Sequence, residues 1–183
     1  MAEADAFPAA WAGTVAQLLP ALADGQLHAP SAPFEVQQDG RLLRIPVRTY
    51  YRREQLLACA GLTGDAGVLA LCLGTRHHDG RLREHCVAQL LQQLRAWTVP
   101  FVVHLCGEYV LEIVERIGAA LPAWNAQALA RYLRENPAYV ATLERRTVSY
   151  WNCYYRHRYP VWDDYPGRRA MAALRGLQDL TLR

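Results

Sequence analysis

Trp97-Thr-Val-Pro-Phe-Val-Val-His-Leu-Cys-Gly-Glu-Tyr-Val-Leu-Glu-Ile-Val-Glu-Arg-Ile-Gly-Ala-Ala-Leu121 is the stretch that decides how the chain reads. Stepped at about 100° per residue, its apolar side chains cover most of a helical circumference. A helix that is apolar nearly all round is a buried one. His104, Glu108, Glu112 and Glu115 interrupt this, four, four and three residues apart, and fall on one narrow stripe. An imidazole and carboxylates inside a core are costly without partners. Three readings stay open: a window to water, pairing with arginines of neighbouring helices, or the lining of a metal or ligand site. Gly107 is a weak helix former and a common helix stop, so it can divide the segment in two.

Outward from this stretch, most of the chain reads as helix. Arg52–Ala60 is short and ends near Gly61. Asp65 can cap a helix stopped by Gly74, and Asp79 can cap one running to about Leu94. Asn125 can cap Ala126–Glu135. Asn136-Pro137 then closes that helix and opens another, expected to reach about His157. Gly167–Leu177 makes a last helix. Ala9–Leu19 suits a short N-terminal helix, with the first residues loose. The β signal is confined to 34–47, where Asp39-Gly40 suits a type I′ hairpin turn and Pro46 limits the second run to an edge. The expectation is a mainly α fold: an irregular helical bundle or short helical stack with a small β-hairpin near the N-terminus. An N-terminal arm would cover 1–30 and a single helical domain 31–183, with helices over 65–121 and 126–178.

Composition narrows the function classes. The 183 residues are 52% hydrophobic and 20% charged, which suits a packed core and not a disordered chain. A net charge of +3 is too mild to argue for nucleic acid by itself. All of the basic side chains are arginine. The five cysteines are scattered singly without metal-knuckle spacing. Cys59, Cys72, Cys86 and Cys106 sit in apolar runs and read as buried free thiols, which suits a reducing cytoplasm. No apolar run is long enough for a membrane span and no secretory signal opens the chain, so no membrane partner is expected.

The helices at Asp65–Gly74 and Asp79–Leu94 resemble one HEAT-type repeat. The second helix of such a unit carries Asp, an aliphatic residue, Arg, a small residue and Leu at fixed spacing, here Asp79, Leu82, Arg83, Cys86 and Leu90. The resemblance implies that Asp79 and Arg83 belong to a structural polar ladder. Independently, Arg83 falls inside the apolar arc of Leu82, Cys86, Val87, Leu90, Leu91 and Leu94. A core-facing arginine calls for a carboxylate, either Asp79 or the acidic stripe.

Two clusters carry potential chemistry. His77-His78-Asp79 has metal-ligand residue types, and His77, His78, His104 and Glu108 form a candidate metal set, although no standard zinc spacing is present. The alternative is a polar turn with Asp79 as cap. Arg145 to Trp162 interleaves arginines with aromatics, as single-stranded nucleic-acid platforms do. The wheel places Tyr150, Trp151 and Tyr154 with the core residues and Arg145, Ser149, Asn152 and Arg156 opposite, as in an ordinary amphipathic helix. Past that helix, Arg158, Tyr159 and Trp162 are typical interface anchors. No phosphate loop, dinucleotide fingerprint or serine-nucleophile motif is present. The expectation is a non-catalytic, cofactor-free helical module that binds an unknown protein partner, with oligomerisation left open. Its binding residues would be Glu108, Glu112, Glu115, Tyr154, Arg156, Arg158, Tyr159 and Trp162. A nucleic-acid binder using the arginine–aromatic segment and a metal-dependent enzyme using the His/Glu set are the alternatives.

Overall fold

The computed structural model describes residues 2–180 of the chain, and side chains over 3–177. Among the described residues the fold is mainly α, about two-thirds helical, with nine α-helices and one two-stranded antiparallel hairpin. The chain divides into two compact units, residues 1–101 and 102–183.

In the first unit, α1 (Ala12–Ala23) buries Val15, Leu18, Leu19 and Leu22 along one face. The described residues ahead of it are not loose: Ala2–Ala6 form a 3₁₀ turn packed on the hairpin, and Ala6 and Phe7 are buried. Glu3 is buried as well and accepts a hydrogen bond from Tyr51 Oη at 3.1 Å. Phe7 stacks on Phe101, with ring centroids 5.1 Å apart. These contacts supply what a terminal segment needs to stay ordered.

The hairpin pairs β1 (Pro33–Gln38) with β2 (Arg41–Pro46). Asp39 (φ 52°) and Gly40 (φ 72°) both lie in the left-handed region, as a type I′ turn demands. The turn fixes the register Val36↔Leu43 and Phe34↔Ile45, which sends Val36, Leu43 and Ile45 inward.

The centre of this unit is α3 (Asp65–Gly74), whose Gly67 to Gly74 side is buried without a break. Its neighbours α1, α2 (Arg53–Ala60) and α4 (Gly80–Leu90) cover it. Gly64 rather than Asp65 occupies the N-cap position of α3, with φ 69°. Gly74 is dictated by packing: a Cβ there would lie 2.4 Å from Cys86 Sγ of α4.

The second unit is held around α9 (Pro166–Leu180), which packs on α6 (Leu111–Ala120) and α7 (Ala126–Glu135). Ala170, Met171 and Leu174 meet a core that includes Ile113, Val114, Ile117, Leu129 and Leu133. Each such apolar side chain contributes about 1.5–3 kcal/mol when taken out of water. Asn125 caps α7 through a bond from Ala128 N–H at 3.0 Å, and Pro137 opens α8 (Pro137–Tyr150) at its first turn. The division between the units falls within α5 (Val99–Leu105).

Candidate functional site

The acidic stripe does not exist as one helical line. After α5 the chain turns through 106–110 and starts again as α6. Gly107 makes this possible, because a Cβ there would lie 2.9 Å from Leu143 Cδ2 and 3.3 Å from Leu143 Cα of α8. His104 and Glu108 are buried, 4% and 5% exposed, whereas Glu112 and Glu115 point to solvent from α6. His104 Nδ1 is hydrogen-bonded to the Tyr139 hydroxyl, and Glu108 Oε1 accepts from Tyr109 N–H at 3.0 Å. The four residues therefore serve two different environments. A wheel drawn through the turn at Gly107 assigned them to one.

His77-His78-Asp79 forms the turn between α3 and α4, and it is tied to the segment that follows the hairpin. Thr49 N–H donates to Arg76 O at 2.9 Å, and His78 N–H donates to Thr49 O at 3.0 Å. His77 is buried between two backbone partners. Its Nδ1 accepts from Asp79 N–H at 3.1 Å, so Nε2 carries the proton that goes to Tyr51 O at 2.9 Å. Both nitrogens of the neutral ring are thus used. Burial is the main influence on this ring and lowers its proton affinity below the ordinary imidazole value. The nearby His78 and Arg83 act in the same direction.

Asp79 caps α4: Oδ1 accepts from Arg81 N–H at 2.9 Å and from Leu82 N–H at 3.5 Å. Partial burial opposes its charge, but these two N–H groups outweigh it and hold the carboxyl below its usual range. Arg83 is fully buried, as its place in the apolar arc demands. Its Nη1 donates to the carbonyls of His77 at 2.8 Å and His78 at 2.9 Å, so it binds the turn itself. Among the described residues, no group of three His, Cys, Asp or Glu side chains is placed to hold a metal. Of the candidate metal set, His77 and His78 belong to the first unit and His104 and Glu108 to the second. Cys59, Cys72, Cys86 and Cys106 are buried free thiols. Burial pushes the thiols of Cys86 and Cys106 up to about 12, which suits packing and not nucleophilic attack. His85 is exposed and engages Gln89 Nε2 at 2.9 Å.

The arginine–aromatic segment departs furthest from its wheel. The α-helical geometry of α8 ends at Tyr150, and Trp151–Tyr155 continue as a π-helical turn. A π turn bonds i to i+5, so each residue advances by less than the α-helical angle, and the faces downstream rotate. Tyr154, on the core arc of the wheel, is 57% exposed. Two hydrogen bonds fix the turn: Tyr155 Oη to Tyr109 O at 2.6 Å and Trp151 Nε1 to Tyr159 O at 2.8 Å.

Behind the turn lies buried Tyr165, which stacks on Tyr155 (5.6 Å between centroids) and on Trp162 (5.9 Å). Burial, reinforced by the neighbouring tyrosines, pushes its phenol up. Arg156 lies over the Trp151 ring and Arg158 over the Tyr159 ring, each at 5.4 Å. The outward set is Tyr109, Val148, Tyr154 and Val161 with Arg145, Arg156 and Arg158. Tyr109, Val148 and Val161 were missed as candidates in the sequence. Nothing in their spacing distinguishes them from core positions.

No protein-family model, curated protein or solved structure matches the chain. No helix of the described residues is long and apolar enough to cross a membrane.

Proposed function

We propose that the protein is a non-catalytic helical docking module, with the α3–α4 pair as a HEAT-type unit and the face around the π turn as its binding surface. The observation that carries this reading is the outward set Tyr109, Val148, Tyr154 and Val161, each between 43% and 58% exposed and all on one unit, with Tyr109 and Tyr154 both against the Tyr150 ring. Single exposed apolar residues are ordinary, but aromatics gathered with arginines form the usual composition of protein interfaces. A π turn carries few regular contacts of its own and is a common feature of functional sites. The nucleic-acid alternative is less well supported. Base stacking needs free ring faces. Here one face of Trp151 and one of Tyr159 are covered by arginines, and one face of Tyr155 and one of Trp162 by Tyr165.

The test is selection of a displayed random-peptide library on the protein, with the Tyr154→Ala variant as the counter-selecting surface. Enrichment that depends on Tyr154 supports docking at this face. Absence of enriched sequences, or enrichment indifferent to Tyr154, refutes it.

A further inference from the structure

The partner chemistry of this face follows from its charges. Three of the acidic groups around it are paired locally. Asp163 pairs with Arg168 at 3.2 Å, Asp164 with Arg169 at 2.8 Å, and Glu144 with Arg175 at 2.7 Å. Arg145, Arg156 and Arg158 have no carboxylate within ion-pairing distance among the described residues. Arg145 donates only to Thr142 Oγ1, at 2.8 Å, and the other two lie over aromatic rings. Glu112 and Arg158 both lie close enough to Tyr155 to act on its hydroxyl. The arginine side therefore presents three guanidinium groups outside any direct ion pair among the described residues, in the planar form suited to carboxylates.

The same side holds a small cleft of about 190 Å³, lined by Glu144, Thr147, Val148, Trp162, Arg168 and Met171. That is below the roughly 300 Å³ at which small-molecule sites begin, and it suits a single side chain. Val148 lies three residues after Arg145 on the same exposed line of α8, so cleft and cation are neighbours.

Resting on the docking reading above, we infer that the occupant is an acidic segment of a partner protein. It inserts one apolar side chain into the Val148–Trp162 cleft and sets carboxylates against Arg145 and Arg156. Double-stranded or single-stranded nucleic acid is the competing anion and forms one arm of the test.

A fluorophore on Cys153, the exposed one of the five cysteines, reports on the face directly. The probes are a synthetic glutamate–leucine peptide, its glutamine–leucine counterpart and oligothymidylate. The expected result is saturable binding of the glutamate–leucine peptide, at least tenfold weaker for the glutamine form. Arg145→Glu and Arg156→Glu should each weaken it by a similar factor, with unchanged melting temperature. Equal binding of the glutamine peptide overturns the acidic assignment but leaves the docking reading standing. Failure of the glutamate–leucine peptide to bind also overturns the assignment, and the library selection then decides the docking reading on its own. Tighter binding of oligothymidylate than of any peptide overturns both.

Discussion

The turn at His77–Arg83 and the turn at Tyr150–Trp162 are both polar, arginine-bearing breaks between helices, yet they end in opposite states. In the first, the arginine is fully buried and its Nη1 donates to two backbone carbonyls, and both nitrogens of His77 have partners. In the second, the polar and aromatic side chains lie over one another and face outward. Residue type therefore says little about role here. His77 and Asp79, which carry the stronger suggestion of chemistry, are held by backbone hydrogen bonds. The aromatic helix end, which suggests core, supplies the surface. What separates the two is whether the backbone nearby offers donors and acceptors that close around the side chains.

Several substitutions would sharpen or break this contrast. The largest effect is expected at Tyr165→Ala, which empties the aromatic stack behind the outward face and should cost about 3–5 kcal/mol in chemical denaturation. Arg83→Ala removes both bonds to the His77 and His78 carbonyls and leaves these buried, with an expected loss of about 3 kcal/mol. A loss under about 1 kcal/mol would mean the first turn is not held as described. Asp79→Ala deletes the cap of α4 and should cost about 1 kcal/mol.

The pH dependence of stability isolates His77. Its folded proton affinity is depressed, so below about pH 6.5 the unfolded chain takes up a proton that the folded chain resists. Stability from this residue is complete above that pH and declines as pH falls toward the lower folded value. His77→Gln should flatten the slope in that window, read by urea titration at several pH values. The smallest effect is expected at Tyr154→Ala, within about 0.5 kcal/mol of wild type, because its ring is mostly in water.

Much of the scaffold was legible in the sequence, because its signals are local. Asp39-Gly40 specified the hairpin through its two left-handed positions, Asp79 and Asn125 announced caps, and Asn136-Pro137 marked a boundary. Arg83 was legible as buried from its place in an apolar arc, but its partners were not: backbone carbonyls carry no sequence signature. The acidic stripe failed because a wheel assumes one continuous helix, and the approach of Gly107 to Leu143 breaks it. The wheel's placement of Tyr154 on the core arc fails for a related reason, although Tyr154 is also among the binding residues expected from the sequence. The π turn changes the angle per residue, and its causes are long-range: the bonds from Tyr155 to Tyr109 and the stack on Tyr165.

The central claim is that the face opened by the π turn, and not the histidine turn, is where the protein meets another molecule. Peptide selection on three surfaces in parallel tests it most directly: wild type, Tyr154→Ala and His78→Ala. His78 is the right control because it is exposed in the other turn. The account expects enrichment that survives His78→Ala and vanishes with Tyr154→Ala. Enrichment that vanishes with His78→Ala and survives Tyr154→Ala would contradict it.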